Sequence, residues 1–80
     1  STVEREKAKI NADRITGVSN VAYDLLVVLS NHLEGVAVLQ EYKVDADAAG
    51  DTDVSAAFDR IEQRYQKGIA ELRTLLVSRL

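Results

Sequence analysis

From Val18 to Lys43 the chain places Val18, Ala22, Leu25, Leu29, His32, Val36 and Leu39 at alternating steps of four and three. That spacing is the heptad period of a seam between packed helices and excludes the period of two of a strand. Val21, Leu26, Val28, Leu33 and Tyr42 flank the seam on both sides. A helix apolar over so much of its circumference needs more than one neighbour. Its valines and Gly35 lower its intrinsic helix propensity, so packing has to hold it together.

The same spacing returns later, at Val54, Phe58, Ile61, Tyr65, Gly68, Leu72 and Leu75, with Ile69, Leu76 and Leu80 widening the face. Between the repeats lies Val44–Asp53, the clearest turn signal in the chain. Asp51, Thr52 or Asp53 can cap the helix that follows. The reading is an all-α chain whose residues 18–80 form an antiparallel helical hairpin, with helices at about 18–43 and 54–79 and a loop at 44–53. Folded at that loop, the repeats pair Lys43 with Val54, Leu39 with Phe58, Val36 with Ile61 and His32 with Tyr65. They continue with Leu29 on Gly68, Leu25 on Leu72 and Ala22 on Leu75. Large residues then face small ones, as interdigitating layers require.

Residues 1–17 read as a separate N-terminal helix or arm. Ser1 and Glu4 match a capping box. Ala8, Ala12 and Ile15 make one thin apolar stripe, and Val3 and Ile10 another, among seven charged residues. Thr16-Gly17-Val18-Ser19-Asn20 is a run of poor helix formers and predicts a break. A single helix bent at Gly17 is the competing reading, because the apolar phase runs on through Ile15, Val18, Ala22 and Leu25.

One hairpin leaves Val21, Leu26, Val28, Leu33, Ile69, Leu76 and Leu80 without cover. An apolar patch of that size is uncommon on a soluble monomer. The N-terminal helix has few aliphatic groups with which to close a three-helix bundle. A second copy, docking to give a dimeric four-helix-type bundle, is the favoured covering. The N-terminal helix is then free to meet a protein partner.

The chain has 80 residues, no Cys and a formal net charge of −3. One small domain without disulfide or thiolate chemistry follows. There is no basic block interleaved with aromatics, which argues against nucleic acid. No stretch without a charge is longer than Leu25–Leu33, which is far shorter than a membrane span of about 20 residues. No signal peptide is evident, and Ser1 in place of Met points to a processed or trimmed start. A cytoplasmic location is expected.

Two chemical readings compete with an assembly role. Asp45, Asp47, Asp51 and Asp53 are candidate metal ligands. Counted from Asp45, with Gly50 at the sixth place, the loop is similar to an EF-hand, but Ala49 and Ala56 stand where ligands are needed. His32, the one histidine, is a candidate ligand or base. It has Val28 and Val36 four residues away on its own face, and a polar seam residue more often sets register. A small helical enzyme is the remaining alternative. Leu39-Gln40-Glu41-Tyr42-Lys43 is similar to the end of the long helix of all-helical chorismate mutases. That family opens its next helix with an Arg-Glu pair, where this chain has Asp53-Val54-Ser55-Ala56. The expectation is a non-enzymatic bundle with no cofactor.

Overall fold

A computed structural model describes the backbone of residues 1–80 and the side chains of all but residues 9–12. The stripe positions Ile10 and Ala12 therefore lie outside the described side chains. Three helices account for nearly the whole chain: α1 (Thr2–Thr16), α2 (Asn20–Ala48) and α3 (Thr52–Val77). The chain is all-α, with no strand among the described residues.

Each helix start is made by a side chain that satisfies an otherwise orphaned N–H. Ser1 Oγ accepts from Glu4 N, and the Glu4 side chain answers the Ser1 backbone, completing the capping box. Ser19 Oγ accepts from Ala22 N at 3.1 Å. Asp51 Oδ1 accepts from Val54 N at 3.1 Å. The break between α1 and α2 falls in the run of poor helix formers. Gly17 ends α1 in the left-handed region, with φ 71°, and donates its N–H to Asp13 O at 2.8 Å. A residue with a Cβ is strained in that conformation.

The loop is shorter than the sequence suggests. Helix α2 continues through Val44–Ala48, and only Ala49, Gly50 and Asp51 separate it from α3. Ala46 explains the extension, since it is buried and its neighbours gain helical hydrogen bonds by staying in register. The turn closes with Gly50 N donating to Asp47 O and Asp51 N to Ala46 O, both at 3.0 Å.

Helices α2 and α3 pack against each other as an antiparallel hairpin, in a register that keeps part of the expected pairing. Tyr42 meets Phe58, with ring centroids 6.5 Å apart. His32 keeps its edge-on contact with Tyr65 at 5.2 Å. Gly68, however, lies under His32 rather than Leu29, and Gly35 lies under Tyr65. Lys43 reaches Asp59 and Glu62 instead of covering Val54. The two glycines fix how the rings sit: each is a dimple that receives a ring from the other helix. At the open end Leu76, expected beside the seam and exposed, is buried within the hairpin, while Leu75, expected against Ala22, is more exposed.

Helix α1 touches α2 only sparsely and does not lie over the hairpin. The radius of gyration is 17.7 Å, against about 12 Å for a compact domain of this length. The molecule is only 16 Å across its thinnest dimension, little more than one helix of about 10–12 Å diameter. This is one layer of helices with an arm, not a closed three-helix bundle.

Candidate interaction surface

A folded chain normally hides its large apolar side chains, and this one does not. Only Ala22, Leu39, Ala46 and Leu76 are buried among the described residues. The seam is largely covered: Leu25, Leu29 and Val36 of α2 and Ile61 and Leu72 of α3 are half-buried, as are Ile69 beside it and Val18 just before α2. Beside the seam Val21 is 58% exposed, Leu26 38%, Val28 42% and Leu33 52%. Leu80, beyond the end of α3, is 71% exposed. Of the seven residues read from the sequence as uncovered, Leu76 alone is buried. Val27, Val38, Val44 and Val77 are exposed too and were not singled out by the seam pattern.

The total accessible surface is 6092 Å². A compact monomer of this mass exposes about 4,800 Å². The excess of about 1,300 Å² comes in part from α1, whose described side chains are nearly all exposed, and in sum exceeds the ~800 Å² that each partner buries in a standard interface.

The polar residues at the hairpin's centre and turn are, by contrast, mutually occupied. Lys43 Nζ lies 2.8 Å from Asp59 Oδ1 and 2.9 Å from Glu62 Oε2, and the Gln40 amide donates to Glu62. The hydrogen bonds to Asp59 first, and then to Glu62, raise the Lys43 pKa well above that of a free lysine. A cation so held favours its charged form and is not poised as a base. Sequence reasoning missed this cluster, although Lys43 at a seam position, facing two carboxylates three residues apart, was a signal for it.

Asp47 accepts from Ser55 Oγ at 2.7 Å, and Asp51 caps α3. Asp45 lies within α2 and Asp53 in the first turn of α3. The structure does not bring these four into a ligand set. No group of three or more His, Cys, Asp or Glu residues suited to a metal occurs among the described residues. The EF-hand likeness does not survive in the geometry, because a three-residue turn has no room for a coordinating loop.

His32 is half-buried. Its Nδ1 stands 2.9 Å from Val28 O. A carbonyl can only accept, so Nδ1 carries the proton and donates. The ring is thereby fixed on its own helix and pressed between Tyr65 and Gly68 of the other. Near the base of α1 an open cleft of about 590 Å³ is bordered by Ala8, Val18, Tyr23 and Leu26.

Helix α2 also has the length and composition of a membrane span, with a mean hydropathy of 1.3 over its most apolar window. Compared with family models, curated proteins and solved structures, the chain matches none of them.

Proposed function

We propose that this chain is a non-enzymatic assembly module, a soluble cytoplasmic protein that self-associates through the exposed apolar face beside the seam of α2 and α3. The observation that carries this reading is the apolar surface left by the hairpin, together with the excess of accessible area over that of a compact monomer. Docking two hairpins through these flanking faces would complete a four-helix bundle, a form in which such wide apolar faces are commonly closed. The pairing of Lys43 with Asp59 and Glu62 supports a structural role for the charged groups nearest the seam. The arm α1, tethered at Gly17 and largely free of the hairpin, is then available to a further protein partner.

The test is light scattering after size exclusion, on the native chain and on Leu26→Glu with Leu33→Glu. The native chain should run as a dimer. The double variant should run as a monomer of similar helicity, because neither side chain is part of the buried set. A native monomer at high concentration overturns the reading.

The mean hydropathy of α2 favours a second reading, insertion into a bilayer. Against it, α2 would carry Asp24, Glu34 and Glu41 with it, at a cost of about 2.5–3.5 kcal/mol for each charge near the bilayer centre. It would also have to leave α3, whose outer face is densely charged. Recovery of the chain in the soluble fraction, without detergent and without binding to added vesicles, separates the two.

A further inference from the structure

Charge is unevenly divided along the hairpin. Residues 41–62, around the turn, hold seven acidic and two basic side chains, a net charge of −5. Residues 63–80, the second half of α3, hold Arg64, Lys67, Arg73 and Arg79 against Glu71 alone, a net charge of +3. The hairpin is therefore acidic at its closed end; toward its open end α3 is basic, and the accompanying half of α2, residues 20–40, adds only Asp24 and Glu34, so that end is net +1. Part of the turn's charge is compensated inside the chain, where Lys43 binds Asp59 and Glu62. Asp45, Asp47, Asp51 and Asp53 have no basic partner in an ion pair among the described residues and are exposed. The exposed apolar face formed by Val21, Leu26, Val28 and Leu33 runs between these two ends.

We infer that the occupant of the exposed apolar face beside the seam is a second copy docked antiparallel, with the acidic turn of each hairpin set against the basic end of its partner's α3. This inference rests on the self-association proposed above and adds its orientation. A parallel pair would stack two turns of net charge −5 side by side, and like-charge juxtaposition is strongly unfavourable across an interface. The antiparallel pair relieves that repulsion at both ends of the bundle at once. It also keeps full overlap of the apolar face, because α2 and α3 are nearly equal in length. A two-fold axis perpendicular to the hairpin generates this arrangement, and the interface is then isologous.

The chain's lack of cysteine makes the orientation measurable. Ala49→Cys at the turn and Val77→Cys at the open end are both at exposed positions, and each accepts a nitroxide label. Pulsed dipolar spectroscopy on the Ala49→Cys dimer should give a separation of about 40 Å, the length of a hairpin of this many residues at 1.5 Å each. Mixing the two labelled chains should add a component near ~20 Å, about two helix diameters. A separation under ~25 Å in the Ala49→Cys dimer alone overturns the antiparallel orientation but leaves self-association standing. Light scattering on the same samples, if it shows monomers with no dipolar signal, overturns the self-association itself. A third measurement addresses the charges. Lys67→Glu with Arg73→Glu should weaken the native dimer by about tenfold or more in dilute salt, and by less at roughly 0.5 M salt, where screening is strong. An equal affinity for the variant in dilute salt overturns the electrostatic basis of the orientation.

Discussion

The imidazole of His32 fills the space that a side chain on Gly68 would need. A Cβ built there stands 3.0 Å from Nε2 and 3.1 Å from Cδ2. The reciprocal arrangement holds one turn away, where a Cβ on Gly35 would meet the Tyr65 ring at 3.1 Å. Two helices thus exchange rings into each other's glycines. The hydrogen bond from Nδ1 to Val28 O keeps His32 from swinging aside.

This contact sets the sign of a substitution that helix propensity alone gets backwards. Replacing a mid-helix glycine by alanine normally stabilises by about 1 kcal/mol. At Gly68 the added methyl presses on a ring held from two sides, and overpacking of that kind costs about 1–3 kcal/mol. Gly68→Ala should therefore be neutral to destabilising in the native chain. In a His32→Ala background the same change should be stabilising by about 1 kcal/mol. Urea unfolding of the four proteins of this cycle checks it, and equal effects in both backgrounds would falsify the ring-in-glycine account.

Lys43 gives a dependence on alkaline pH. Its pKa is raised in the fold, chiefly by the hydrogen bond to Asp59 and then by that to Glu62. A group with a raised folded-state pKa contributes all of its stabilisation below the unfolded-state value, about 10.4 for lysine, and loses it as pH rises through the folded value. The native hairpin should lose stability above about pH 10.4 more steeply than a Lys43→Met variant does. The tyrosines titrate in both proteins, so the difference between the two curves isolates Lys43. Parallel melting curves over that range would show that the ion pairs add nothing.

Much of the architecture was legible in the residues. The four–three apolar spacing marked both long helices, and Gly17 with Ser19 marked the break before α2. The His32–Tyr65 contact followed from the seam. What periodicity could not supply was the detail of the register. A heptad slides by about one turn and still matches apolar to apolar, and the choice depends on which shapes interlock. Gly35, counted as a weak point in the sequence, and Gly68, read as the small partner of Leu29, are where rings and helices interlock. The loop was overdrawn for a related reason, because Val44–Ala48 is polar and small in sequence yet Ala46 is packed. Of the seven residues read from their spacing as uncovered, Leu76 is buried and Ile69 half-buried, and the other five are exposed.

The exception at Leu76 is measurable. Leu76 is 7% exposed and Leu80 is 71% exposed, although both flank the same seam in sequence. Leu76→Ala should destabilise the chain by about 2 kcal/mol or more through lost burial and the cavity left behind. Leu80→Ala should fall within about 0.5 kcal/mol of the native value when measured on a monomeric background such as Leu26→Glu with Leu33→Glu. In the native background, a larger loss at Leu80 that depends on protein concentration would place Leu80 in the contact between copies.

The bend between α1 and α2 should be set by two local devices rather than by packing. Gly17 adopts a left-handed conformation, Ser19 caps α2, and α1 makes few contacts with the hairpin. An alanine held at the Gly17 backbone angles costs about 1–2 kcal/mol, and loss of the Ser19 cap about 1 kcal/mol. The apolar phase through Ile15, Val18, Ala22 and Leu25 already suits a continuous helix. Gly17→Ala with Ser19→Ala should therefore fuse α1 and α2 into one rod from Thr2 to Ala48, about 70 Å long at 1.5 Å per residue. The native long dimension is 53 Å. Small-angle scattering on the Leu26→Glu, Leu33→Glu monomer background should show the increase, together with a gain in helical circular dichroism from residues 17–19. An unchanged length would mean that contacts across the cleft beside Ala8, Tyr23 and Leu26 hold the arm in place, and that the arm is part of the folded unit rather than a tethered helix.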